Sequence, residues 1–132
     1  MDVIVMDMGD DMKGESSVRG FENKIELLSF SHGDATDRTS RKPVHQDMTV
    51  TKYLDSLSSP LLHRASMEGK VFSRVDIIVG RNEAGGVSVL MRYTLKDVLI
   101  SSVSVSGGGG DKPVETLTLN CNNISWDFES RG

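Results

Sequence analysis

A histidine and an aspartate two residues apart on a strand point to the same face, and His45-Gln46-Asp47 has that spacing. Such a pair could enter a metal site or an acid–base dyad. It has no third ligand or nucleophile beside it in sequence, so a hydrogen-bonding pair next to a loop is the preferred reading. His63 falls in a predicted helix with Met67, not a ligand, at i+4, which excludes a zinc site of the HExxH kind. The run Gly107-Gly-Gly-Gly-Asp-Lys-Pro113 invites comparison with a phosphate loop. That loop needs Gly-Lys followed by Ser or Thr at the opening of a helix, whereas Lys112 is followed by Pro113 and a strand. Asp7, Asp10 and Asp11 lack the longer alternation and terminal Glu of a calcium loop and read as a solvated turn. Cys121, the single cysteine, lies in the apolar phase of a strand with no base in reach and reads as a small buried hydrophobe. No set of residues supplies nucleophile, base and oxyanion donor together. No catalytic, cofactor-binding or metal-ligating residue is expected, and the chain is read as a non-enzyme.

The elements that carry these residues are mostly strands. Val3 to Met8, Lys24 to His32, Pro43 to Tyr53, Val71 to Val79 and Val98 to Ser106 are apolar or alternating runs bounded by turn formers. Val87 to Leu95 carries the clearest alternation, with Val87, Val89, Met91, Tyr93 and Leu95 in one phase. Thr116, Thr118 and Asn120 alternate with Leu117, Leu119 and Cys121, and Ile124 to Phe128 follows with Trp126. Ser59 as N-cap, Pro60 in the first turn and Gly69 as the stop frame one helix over 60–68, with Leu61, Leu62 and Ala65 as its apolar stripe. A helix that short needs a sheet to pack against. The pattern is about eight strands and one short helix, an antiparallel sandwich or barrel in a single domain spanning 1–132. Gly33 to Lys42 is a polar, aperiodic loop that carries Asp34, Asp37, Arg38, Arg41 and Lys42.

Bulk properties narrow the partners. Hydrophobic content is 37% with 13 glycines, which favours strands and turns with wet faces over a helix bundle. A net charge of −4 and scattered basic residues argue against nucleic acid. A lone cysteine permits no intrachain disulfide, so folding needs no oxidising compartment. No apolar run approaches the roughly 18 residues of a membrane span. Met1-Asp-Val-Ile-Val-Met-Asp7 lacks the basic region of a signal peptide, so a cytoplasmic protein, or one exported by a dedicated machine, is expected.

Motif order is similar to that of a known family. Lys13-Gly-Glu-Ser16 with Ile25-Glu-Leu-Leu-Ser-Phe-Ser-His32, then His45-Gln-Asp-Met-Thr-Val-Thr-Lys-Tyr-Leu-Asp55 with Ser59-Pro-Leu-Leu62, resemble haemolysin-coregulated (Hcp) proteins. Leu95-Lys-Asp-Val-Leu-Ile-Ser-Ser-Val-Ser-Val-Ser106, Glu115 to Asn120 and Ile124-Ser-Trp126 extend the likeness from end to end. The resemblance implies a mainly β fold of two antiparallel sheets closed into a barrel with one short α-helix. It implies homohexameric rings stacked into the tube of a type VI secretion system. Effectors would be cargo, sheath and spike proteins partners, and there would be no cofactor. It implies export without a signal peptide, and it assigns the Gly33 to Lys42 loop to contacts between subunits or rings, through Asp34, Asp37, Arg38, Arg41 and Lys42. Family members carry a further C-terminal stretch that adds a strand, where this chain ends at Gly132. A phage or prophage tail-tube protein and a non-polymerising effector-binding adapter are the alternative functions.

Overall fold

The computed structural model describes residues 2–9, 12–18, 20–33, 46–83, 86–107, 109–110 and 112–128. Its elements, in chain order, are β1 (Asp2–Asp7), β2 (Ile25–Leu27), β3 (Ser29–Gly33), β4 (Gln46–Tyr53), α1 (Ser58–Glu68), β5 (Val71–Glu83), β6 (Gly86–Ser106), β7 (Val114–Cys121) and β8 (Asn123–Phe128). The mainly β class with one helix is as the residue pattern predicts.

The expected pair of sheets is instead one eight-stranded antiparallel sheet, in the order β2-β1-β5-β6-β7-β4-β3, with β8 also on β6. The cause is the length of β6. Sequence alternation suggests two strands, one on each side of Lys96-Asp97, but the backbone runs through both as a single strand of 21 residues. Asp97 takes a left-handed φ of 54° at the junction. The core phase shifts there from Leu95 to Val98, both fully buried. Up to Leu99, β6 pairs with β5, and from Leu99 onward with β7. Register shifts at Val79/Gly80 in β5 and Ile100/Ser102 in β6 bend these two strands, as bulges do.

Two other predicted strands differ in a related way. Lys24 to His32 is interrupted at Leu28, so that β2 pairs with β1 and β3 with β4. This explains why its sequence is apolar in both phases. β7 and β8 are likewise separated only by Asn122, whose N–H donates to Lys96 O at 3.2 Å.

Side chains from every layer meet in one core. Met6, Ile25, Met48, Val50, Val75, Ile77, Leu95, Leu117, Leu119 and Cys121 are buried there, and Leu62 and Ala65 of α1 join them. The helix starts two residues earlier than predicted and is not capped by Ser59. Asp55 does that work: its Oδ1 accepts from the N–H groups of Leu57 (3.0 Å), Ser58 (2.6 Å) and Ser59 (3.3 Å). An ionised carboxylate accepts more strongly than a hydroxyl and faces the positive end of the helix. The C-terminal stop is as predicted, with Gly69 at φ 66° and Lys70 N–H bonded to Ala65 O. Among the described residues no helix is long and apolar enough to cross a membrane.

Candidate functional site

Cross-strand partners in an antiparallel sheet share a face. Register therefore places Ser31, Thr49, Thr118 and Ser102 in one row, and Ser29, Thr51, Thr116 and Ser104 in the next. Each row crosses β3, β4, β7 and β6. The opposite phase of the same strands is core: Met48, Val50, Leu117, Leu119 and Ile100. Ser29 Oγ and Thr51 Oγ1 are 2.6 Å apart, and Asn120 Nδ2 donates to Asp47 Oδ1 at 2.8 Å at the margin. None of the eight residues in these two rows carries a formal charge, and Asp47 lies beside them at the margin. The result is a face with two rows of neutral hydroxyls.

Behind this face, a buried charge network seats α1 on the sheet. Lys52 and Glu115 are 1% and 0% exposed, with Nζ 2.7 Å from Oε1. Lys52 Nζ also donates to Tyr53 O (2.7 Å) and Ser59 Oγ (3.2 Å), and lies 3.5 Å from Asp55 Oδ2. Ser59 Oγ donates to Glu115 Oε1, and His63 Nε2 donates to Oε2 at 2.8 Å. Both carboxylate oxygens are thus satisfied, as a buried charge requires. Burial pushes the Glu115 carboxyl up, but hydrogen bonds from Lys52, Ser59 and His63 and the Lys52 charge outweigh it and hold it below its ordinary value. Asp55 is held low in the same way, burial being outweighed by Ser58, Ser59 and Lys52.

A pH dependence follows. Groups with depressed folded pKa values contribute stability above their ordinary carboxylate range and lose it as pH falls through that range. Stability should therefore drop as pH falls below the ordinary carboxylate values of 4.5 and 3.8. Glu115→Gln should be less stable at neutral pH but flatter across that window. Urea midpoints at a series of pH values measure it, and parallel curves for the two proteins would contradict the assignment.

The residues that the sequence offered for chemistry do not converge. Asp47 is engaged by Asn120, and Asp7 pairs with Lys24 at 3.3 Å. Cys121 is buried, and burial pushes its thiol pKa up. Residues 107–113 join β6 to β7, the hairpin connection expected of them. His45, Asp10, Asp11 and the loop residues Asp34, Asp37, Arg38, Arg41 and Lys42 lie outside the described residues. His63, read from sequence as an isolated helical histidine, is instead the outer member of the Glu115 network. That network was missed, although a signal existed: Lys52 continues the buried phase Met48, Val50, and Glu115 begins the buried phase Leu117, Leu119.

Among the described residues β2, β3 and β8 each have a single strand partner. β8 pairs only with β6, and its outer edge meets no strand among the described residues. Trp126 and Phe128 on β8 are 49% and 73% exposed. Trp126 closes an aromatic group with Tyr93, His32 and Phe30, their neighbouring centroids 5.5–6.4 Å apart.

Comparison with known proteins adds four findings. A family model described as type VI secretion system effector, Hcp, matches residues 6–128. The protein Hcp1 of Pseudomonas aeruginosa is 33% identical over 130 residues, covering 90% of this chain and 78% of that one. A crystal structure of Hcp1 from Salmonella typhimurium superposes with a TM-score of 0.81 at 23% identity, over 99% of this chain and 88% of that one. The sheath-tube complex of an extracellular contractile injection system, solved by cryo-electron microscopy, matches with a TM-score of 0.59 at 14% identity, over 97% and 88%.

Proposed function

The chain belongs to the Hcp family of type VI secretion system effectors, and we propose on that footing that it is the repeating subunit of a secretion tube. Copies close into homohexameric rings, rings stack, and effectors travel inside. The observation that carries the reading is the neutral hydroxyl wall, eight Ser and Thr residues in two rows across four adjacent strands. A channel that passes folded cargo needs a surface that is wet but does not grip, and this face is assigned to the channel.

The barrel is part of the proposal. β2 and β3 stand at the two ends of the strand order yet are separated in the chain only by Leu28, whose N–H donates to Thr51 O at 2.7 Å. One bent segment, 25–33, then serves both edges and closes the subunit. The open β8 edge, with Trp126 and Phe128, supports a lateral contact between copies, because an exposed edge left unpaired invites stray pairing. Head-to-tail lateral contacts that close produce a ring.

The role is structural, and no residue is assigned a chemical step. Sheath, spike and effector proteins are its partners, and export proceeds through the type VI apparatus from a cytoplasmic pool. The family match favours the secretion tube over a phage tail tube. A non-polymerising adapter is what a monomer would favour. Light scattering behind size exclusion decides between them: at micromolar concentration the expected species is a ring several-fold heavier than one chain, and a monomer would overturn the reading.

A further inference from the structure

We propose that a slot beside the first residues of β5 takes an extended, acidic segment of another protein as an added strand. β1 lies along β5 only from Asp2, opposite Arg81, to Asp7, opposite Asp76. On its other side β5 pairs with β6 from Val71 onward. Residues 71–75 therefore have a strand on one side and, among the described residues, none on the other. The chain turns away from this edge directly after β1. Gly9, with a left-handed φ of 101°, donates its N–H to Asp7 Oδ1 at 3.0 Å, and Met12 N–H reaches Gly9 O at 3.2 Å. Met8 and Met12 are buried in the core, which fixes that turn. Where β1 stops, a slot of about 510 Å³ remains, lined by Asp7, Met8 and Gly9 and, along β5, by Val71, Ser73 and Arg74 among others.

The edge names the occupant's backbone. Alternate residues of an edge strand turn both N–H and C=O outward, and the partner that satisfies such a row is another extended chain. At the usual strand rise, 71–75 offer it an edge of about 17 Å. The surroundings name its side chains. Both carboxylates that line the slot are already engaged, Asp7 by Lys24 at 3.3 Å and Asp76 by Arg74 at 3.0 Å and Arg92 at 3.1 Å. Lys70, at the mouth of the slot, is exposed and has no carboxylate partner among the described residues; its Nζ stands 5.1 Å from the centre of the Phe72 ring. A peptide lying along 71–75 with an acidic residue beside Lys70 supplies the missing counter-charge. Val71, which is 59% exposed, offers apolar surface to a β-branched neighbour on that peptide. Docking here does not require the tube, and it leaves the β8 edge free.

The test uses the full chain in whatever oligomer it forms, and a fluorescein-labelled peptide amide, Thr-Val-Glu-Val-Thr-Val, as the probe. Fluorescence anisotropy should show saturable binding. The fully N-methylated peptide keeps the side chains but has no amide hydrogens, and it should not bind. With the probe at about ten times its Kd, hydrogen exchange should slow about tenfold within 71–75 and stay unchanged in β8. Lys70→Glu should weaken the probe at least about threefold and strengthen its Lys-for-Glu counterpart, as expected when an exposed ion pair is made repulsive. Absence of binding, equal binding of the N-methylated peptide, or protection at β8 in place of 71–75 would each overturn the proposal. So would indifference to the charge swap in a Lys70→Glu protein that keeps its wild-type urea midpoint. Full protection of 71–75 without any peptide would also overturn it, since a second copy of this chain would then hold the edge.

Discussion

Truncating Glu115 to alanine should destabilise the protein by about 3–5 kcal/mol, measured by urea unfolding at matched protein concentration. The magnitude comes from what is left behind. Lys52 would remain 1% exposed with its main counter-charge gone, and Ser59 and His63 would lose the acceptor that ties α1 to β7. Removing one partner of a buried pair costs far more than removing both. Lys52→Met combined with Glu115→Leu should therefore recover most of the loss, since both side chains already occupy the apolar phase of their strands. If the double variant were as unstable as Glu115→Ala, the packing of α1 rather than the stranded charge would be the origin. If Glu115→Ala were neutral, the network would be ornamental.

Sequence made the strands legible wherever one face is core and the other is water. The run Val114 to Cys121 alternates between half-buried and buried at every position, and its alternation could be read directly. Legibility failed where one strand serves two neighbours. Lys24 to His32 and Gly86 to Ser106 each change partners midway, so the buried phase changes with them, and a pattern search sees an ambiguous strand or two short ones. The helix was legible from Pro60 and Gly69, but its cap was not. Asp55, Ser58 and Ser59 are all good capping types, and only the packing of Lys52 and Glu115 decides that Ser59 turns inward and Asp55 caps. The hydroxyl wall was half legible. Its Thr and Ser phases were visible strand by strand, but only the register shows that Ser31, Thr49, Thr118 and Ser102 form one row. Motif order identified the family because it samples the whole chain.

Leu62→Asp is expected to be the most damaging single change on the helix, costing at least about 4 kcal/mol. Leu62 is 0% exposed and sits in the core among side chains from the sheet. Deleting a buried leucine side chain alone costs about 2–5 kcal/mol, and an aspartate adds an unpaired charge to a site with no polar partner. Arg64→Asp, two residues on and exposed, controls for helix propensity and net charge and should change stability by less than about 0.5 kcal/mol. The two variants also separate folding from assembly. α1 packs on the core side of β6, where Ser66 Oγ donates to Ile100 O, directly behind the strand that carries Ser102 and Ser104. Loss of the Leu62 contact should therefore loosen the hydroxyl wall and lower the fraction of chains in rings, even under conditions where secondary structure persists. Hydrogen exchange would show this as faster exchange in β6 and β7 than in β1. A Leu62→Asp protein that kept wild-type urea midpoints would mean that the helix is not seated on the core. One that unfolded locally but still formed rings would show that ring formation does not depend on the order of the wall.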